Sequence, residues 1–268
     1  MRRWPVSTFF VLAFAITWAV WVPRALDIDW ANGLGTFWTY GPAAAAILAA
    51  VIVGGRPELR QLLSGLDKWR IGWLWYAVIL LGPLALGLLV AAVNTALGGS
   101  WDDGMPQALS EPLPIVLLLL VILTVTDGLG EELGWRGFAL PRMLDSHNAF
   151  AASIVLGIVW AIWHLPLIWT DGNALEETYI WLLVVRLPAT SILFTWVYQH
   201  TNRSVVAAAI FHGSLNLFSV APPTPGDPLT PAVIAVVSHW IIALLLVLLA
   251  GGHRLDRFPS QPVETPDT

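Results

Sequence analysis

The stretch Pro114-Ile115-Val116-Leu117-Leu118-Leu119-Leu120-Val121-Ile122-Leu123-Thr124-Val125-Thr126-Asp127-Gly128-Leu129-Gly130-Glu131-Glu132-Leu133-Gly134-Trp135-Arg136 decides how this chain is read. Its first part is apolar except for Thr124, Thr126 and Asp127, and it matches the ~20 residues that cross ~30 Å of hydrocarbon. It then runs into two adjacent carboxylates and an arginine. Ionisable side chains at membrane depth are costly, and where they occur they face a bundle interior or a wet cavity and serve a function. One stretch therefore predicts both a membrane span and a polar site inside it.

The rest of the composition agrees. The chain is 57% hydrophobic and 12% charged, with a mean hydropathy of +0.71, against roughly 25% charged residues in soluble domains. Its 16 tryptophans suit a polytopic protein, because Trp collects at the two membrane interfaces. The absence of cysteine excludes disulfides, thiolate catalysis and Cys-ligated zinc. No basic cluster beyond the few loop cations is present, which argues against nucleic-acid binding.

Working outward, eight apolar spans are expected, at 6–23, 37–53, 73–97, 113–135, 149–169, 178–199, 204–220 and 231–250, giving an all-α transmembrane helix bundle. The first follows Arg2-Arg3 but lacks a convincing cleavage site, so it reads as a retained anchor. The division expected is 1–112 for three N-terminal spans, 113–220 for a catalytic core, 221–257 for the last span and 258–268 for a disordered tail. The loop Gly54–Gly72 is amphipathic enough to lie along the cytoplasmic surface, with a plain loop as the alternative. No internal repeat of the kind common in transporters is visible.

The cations test this layout. Arg2, Arg3, Arg56, Arg60, Lys68, Arg70, Arg136, Arg142, Arg203, Arg254 and Arg257 fall on one side, eleven of the thirteen. The opposite loops hold Arg24 and nine acids: Asp27, Asp29, Asp102, Asp103, Glu111, Asp171, Glu176, Glu177 and Asp227. By the positive-inside rule both termini are cytoplasmic, in the cell membrane if the protein is prokaryotic. The pattern also puts Glu131 and Arg136 near the cytoplasmic end of span four, and His164 nearer the opposite face.

Three polar islands carry the chemistry. On a helix Glu132 points at Arg136 four residues on, while Glu131 lies about 100° away beside Asp127 and Trp135. Glu131 thus has no local counter-charge, an environment that suits a general acid or base near neutrality. The glycines at 128, 130 and 134 allow close helix approach or room for substrate. The second island is His164 in Trp160-Ala161-Ile162-Trp163-His164-Leu165-Pro166, where Pro166 is expected to bend or weaken the helix. The third, His212 and Asn216, shares one helical face and could ligate a metal or hold an oxyanion. With a divalent metal such as Zn²⁺, Glu131, His164 and His212 would form a two-His, one-Glu ligand set. Without one, Glu131 and His164 could activate water while His212 and Asn216 hold the oxyanion, and the sequence leaves both open. His239 is expected to bond a neighbour, and Arg186 to pair with a buried carboxylate, Asp127 being one candidate. HExxH, GxSG and GxGD signatures are absent.

Taken together, Glu131-Glu132…Arg136, Trp160…His164 and His212…Asn216 resemble the EExxxR, aromatic-xxxH and HxxxN pattern of the CPBP family, the CAAX prenyl endopeptidases and their bacterial relatives linked to bacteriocin processing or immunity. The likeness covers roughly residues 115–220, with Trp160 where Phe is the commoner aromatic. It implies an intramembrane endopeptidase with Glu131 as base, His164 assisting, His212 and Asn216 at an oxyanion or metal, and Glu132 with Arg136 in support. It further implies a membrane-associated peptide or protein as substrate, of CAAX or bacteriocin type. Both metal-dependent and glutamate-dependent mechanisms have been argued for the family. A membrane-embedded immunity or interaction protein without proteolysis is the second reading, and a proton-coupled transporter is the third.

Overall fold

The computed structural model describes residues 5–32, 39–172, 175–219 and 227–255. Arg2, Arg3, Arg257 and the expected disordered tail lie outside these residues.

Among the described residues all regular structure is helical. Seven helical segments are long and apolar enough to cross a membrane: α1 (Pro5–Ala25), α2 (Gly41–Leu63), α3 (Trp73–Ala96), α4 (Leu113–Leu144), α5 (Ala149–Trp169), α6 (Ile180–His200) and α8 (Thr230–Ala250). The shorter apolar helix α7 (Val205–Phe218) lies between α6 and α8. The protein is an integral, multi-pass membrane protein, and the expected bundle of about eight spans stands. Its outer surface carries large apolar side chains such as Leu117, Leu118, Val121, Ile241, Leu248 and Leu249, a composition that only lipid accommodates over so wide an area.

Lipid tails are as apolar as leucine, so helices here associate through close packing and polar contacts. α2 buries the small residues Ala43, Ala45, Ala46, Ala49 and Ala50, which lets it lie tightly against α1 and the middle of α4. α5 and α6 approach at Gly157, where an added Cβ would meet the Cα of Pro188 at 2.4 Å. They also share a buried Ser153 Oγ to Thr195 Oγ1 hydrogen bond of 2.6 Å. At Gly55 (φ 66°) α2 breaks, and its last turns, which carry Arg56 and Arg60, run on in a new direction. Part of the segment expected either to lie along the surface or to be a plain loop is therefore helical, to Leu63. Arg142 at the end of α4 pairs with Glu58 of that segment, and Ser204 Oγ donates to the Lys68 carbonyl at 2.6 Å.

The principal correction concerns α4. The sequence suggested an end near residue 135, but the helical segment continues to Leu144. Glu131 is thirteen residues from that end, about 20 Å at 1.5 Å per residue. His164 is fifteen residues from the start of α5 at Ala149, about 22 Å by the same rise. The two groups therefore meet at similar depth, and Arg136 is a fully buried mid-span residue. The continuation is hard to see in sequence because Gly134, Gly137 and Pro141 all suggest a helix end.

Candidate active site

α4 has two characters. Its first stretch, Leu113–Leu123, has no fully buried residue and only rests one side, Val116, Leu119, Leu120 and Leu123, against Leu217 and Phe218 of α7, whereas Gly130 through Gly134 are all buried. A π-helical turn lies on each side of the buried stretch, at Thr124–Gly128 and at Trp135–Ala139. Such turns widen the helix and free carbonyls, and they recur at functional sites. Tyr40 Oη donates to the Val125 carbonyl at 2.5 Å, and Thr39 Oγ1 to that of Thr126 at 3.4 Å. The glycines act as expected for close approach. A Cβ at Gly128 would lie 2.4 Å from the Ala209 carbonyl oxygen on α7, and one at Gly134 would lie 2.6 Å from the Pro42 carbonyl oxygen on α2. These contacts bring α7 and its histidine against the two glutamates.

Glu131 is 2% exposed and Glu132 is fully buried, yet they have different partners. Glu131 Oε2 accepts hydrogen bonds from Trp160 Nε1 at 2.6 Å and Trp135 Nε1 at 3.3 Å. Its Oε1 lies 3.9 Å from His212 Nε2. Glu132 Oε1 accepts from Arg136 at 2.9 Å and from His212 Nδ1 at 2.8 Å. The Arg136 guanidinium also lies over the rings of Phe194, at 4.1 Å, and Trp160, at 4.8 Å. Glu132 and Arg136 thus hold His212 in place, and Glu131 keeps one oxygen free of protein hydrogen-bond donors.

Because a carboxylate acceptor sits on His212 Nδ1, that nitrogen carries a proton and Nε2 faces Glu131. His164 is ordered similarly. Its Nδ1 donates to the Trp160 carbonyl at 2.9 Å, leaving Nε2 as the free ring nitrogen. It ends the α-helical part of α5, and the chain continues as a 3₁₀ turn over Leu165–Trp169, the change expected from Pro166. Its ring packs against Trp163 and Trp160 at centroid distances of 4.8 and 5.7 Å. Asn216 Nδ2 donates to Asp127 Oδ2 at 3.0 Å.

Glu131, His164, His212 and Asn216 line one cavity of about 460 Å³ together with Asp127 and Trp160. The cavity extends past Arg186 to Arg24, Gly172 and Leu175. The last three lie at the helix ends and loops on the side that carries the acidic residues. Trp135, Phe138, Phe211 and Val205 are all buried and do not line the cavity.

Several expectations are refined. His212 and Asn216 share a helical face, but each is held by a different acid, Glu132 and Asp127. Arg186 does not pair with Asp127; its guanidinium donates to Ser219 Oγ at 2.8 Å. His239 Nδ1 bonds the Ala235 carbonyl at 2.7 Å, as expected. As a zinc triad, Glu131, His164 and His212 do not converge: among the described residues no three His, Cys, Asp or Glu groups are placed to hold one ion. With Glu131 Oε2 taken by two indoles, the arrangement as it stands does not fit that ligand set. Sequence reasoning missed Trp160 as a donor to Glu131, 29 positions away, and Glu132 as the partner of His212. Nothing local in the sequence signals either contact.

The fold and site define a polytopic membrane protein in which buried Glu131 and His212 meet half-buried His164 and the more exposed Asn216 on the wall of one cavity. Residues 113–218 match the family model described as type II CAAX prenyl endopeptidase Rce1-like. The chain is also similar to CAAX prenyl protease 2 of Methanococcus maripaludis, at 32% identity over 150 residues. That alignment covers 52% of this chain and 53% of the relative, so it spans about half the length of the curated protein. The resemblance to this protease family, drawn above from three motifs, stands over that segment.

Proposed function

We propose that the protein is an intramembrane endopeptidase that hydrolyses a peptide bond with water activated by Glu131. The observation that carries this reading is the state of the Glu131 carboxylate. It is buried at mid-span, one oxygen is fixed by two indole N–H groups, and the other faces the cavity and His212. A fixed carboxylate with one free oxygen is placed to take a proton from water. The free Nε2 of His164, on the same cavity wall, orients that water. The hydroxide adds to the peptide carbonyl, and His212, held as the imidazolium between Glu131 and Glu132 so that Nε2 also carries a proton, stabilises the oxyanion together with Asn216 Nδ2. The proton held by Glu131 then passes to the departing amine as the C–N bond breaks. Trp160, Trp135, Glu132 and Arg136 fix the reacting groups beforehand, so little reorganisation accompanies the step.

The substrate is a membrane-associated peptide or protein tail, and it enters from the side bearing the acidic loops. The positive-inside rule, applied to the loop cations, supports a reading in which that side faces away from the cytoplasm. A tail presented there differs from a cytosolic prenylated protein, although the site chemistry is indifferent to the lipid group. The test is cleavage of a membrane-peptide library by detergent-purified protein, wild type against Glu131→Gln, with and without a chelator. Products that disappear in Glu131→Gln and survive the chelator support the reading. Products that persist in Glu131→Gln overturn it, and chelator-sensitive products overturn the metal-free step.

A further inference from the structure

Glu132 fixes the His212 ring by accepting from its Nδ1. Asn216 needs a comparable constraint. Its amide carries a donating nitrogen and an accepting oxygen, and a half turn of the group exchanges them. Only the nitrogen can stabilise an oxyanion, and the oxygen would repel it. Asn216 faces the cavity, and among the described residues its side chain makes one hydrogen bond, from Nδ2 to Asp127 Oδ2 at 3.0 Å.

We propose that Asp127 is a positioning residue, which acts through Asn216 to keep the amide nitrogen available to the oxyanion. This inference rests on the peptidase reading and adds a residue to it. An ionised carboxylate accepts hydrogen bonds and donates none, so Asn216 Oδ1 turned toward Asp127 would set two acceptors against each other. The amide is therefore held with Nδ2 beside Asp127. Nδ2 carries two hydrogens. One is bonded to Asp127, and the second remains for the substrate oxygen. Glu132 and Asp127 thus play parallel parts, each fixing one oxyanion donor.

The backbone places Asp127 for this role. It lies in the π-helical turn Thr124–Gly128, where the Leu129 N–H reaches back to the Thr124 carbonyl. Tyr40 and Thr39 bond the carbonyls of Val125 and Thr126 in the same turn. Ala209, Gly213 and Asn216 follow at four and three residues and so share one face of α7. That face crosses the turn at contact distance. A Cβ at Gly128 would meet the Ala209 carbonyl oxygen, and one at Gly213 would lie 2.7 Å from both the backbone nitrogen and Oγ1 of Thr124. Ala209 thus sits at Gly128 and Gly213 at Thr124, so the two segments run antiparallel. Side chains on a helix lean toward its N-terminus. Asn216 therefore leans back to the level of Gly213, Asp127 leans back to the level of Thr124, and the two meet.

The experiment uses the detergent-purified full chain, a fluorescein-labelled apolar heptapeptide, and the same peptide with its central bond replaced by a phosphinate. The phosphinate puts a tetrahedral anion where the flat carbonyl stood. Binding is read by anisotropy, and kcat and KM by mass spectrometry of the products. Wild type is expected to bind the phosphinate about a hundredfold or more tightly than the peptide, as a mimic of the tetrahedral state. Asp127→Asn and Asp127→Ala should bind the peptide as wild type does. They should lose about tenfold or more in phosphinate affinity and in kcat, with KM unchanged. In an Asn216→Ala background Asp127→Asn should change neither quantity further, because its effect passes through the amide.

Equal phosphinate affinity in wild type and Asp127→Asn, or a further loss in the Asn216→Ala background, overturns the positioning role. A wild type without a phosphinate preference overturns it as well. Failure of both Asp127 variants to fold makes Asp127 a structural residue and has the same consequence. An Asp127-dependent phosphinate preference without cleavage of any peptide refutes the peptidase reading and leaves the Asp127–Asn216 pair standing. Cleavage that Asp127→Asn does not slow does the reverse.

Discussion

Glu131 and Glu132 are adjacent and equally buried, yet their amides should have opposite consequences. In Glu132→Gln the fully buried Arg136 loses its carboxylate partner at 2.9 Å, and His212 Nδ1 loses an anionic acceptor at 2.8 Å. Removing one partner of a buried pair leaves an uncompensated charge and costs about 3–5 kcal/mol. At 1.4 kcal/mol per decade this is about a hundredfold to several-thousandfold in the unfolding equilibrium. In Glu131→Gln the amide oxygen still accepts from Trp160 and Trp135, and no cation is left alone, so the change in stability should stay within about 1 kcal/mol. Reversible denaturation by SDS in bicelles, followed by the intrinsic fluorescence of the 16 tryptophans, measures both. Cleavage assays on the same samples should show loss of activity in Glu131→Gln at near wild-type stability. The double variant Glu132→Gln with Arg136→Met should regain much of the lost stability, because apolar groups often replace a buried ion pair at little cost. If Glu132→Gln is as stable as wild type, or Glu131→Gln loses as much as Glu132→Gln, the division between a supporting and a reacting carboxylate is wrong.

Three further outcomes follow from the same geometry. Trp160→Phe keeps the ring but removes the 2.6 Å bond to Glu131; bonds to charged groups are worth about 1.5–3 kcal/mol, so the cleavage rate should fall about ten- to a hundredfold, chiefly in kcat. Gly134→Ala places a Cβ 2.6 Å from the Pro42 carbonyl oxygen and should cost about 1–3 kcal/mol by overpacking, measured by the same denaturation, with Gly82→Ala, which meets nothing within 4 Å, as the control. The chain contains no cysteine, so single replacements at Lys68 and Asp171 can be labelled with an impermeant maleimide in intact cells. Asp171→Cys should react and Lys68→Cys should not, and the reverse pattern would place the cavity mouth on the cytoplasmic side.

Much of the bundle is legible in the sequence because crossing a membrane demands length and apolarity, both of which are local. The expected spans 73–97 and 231–250 lie close to α3 and α8, and the Glu132–Arg136 pair follows from helical periodicity alone. The ends are less legible. α4 outruns its expected end by passing through Trp135–Ala139 as a π-helical turn held between α2 and α7, and no local propensity records that packing.

The sequence by itself determined that this is a multi-pass helical protein, and which few polar residues must be reconciled with its interior, because each ionisable group in lipid needs a reason that composition alone exposes. Tertiary structure decided what those residues do for one another. It gave Glu131 the indole of Trp160 and left His212 to Glu132. It also bound Asn216 to Asp127 and kept Arg186 away from every described acid, on the wall of a cavity. These choices depend on helix rotation, on depth, and on close approach at Gly128 and Gly134. Such quantities arise only when residues far apart in the chain pack together.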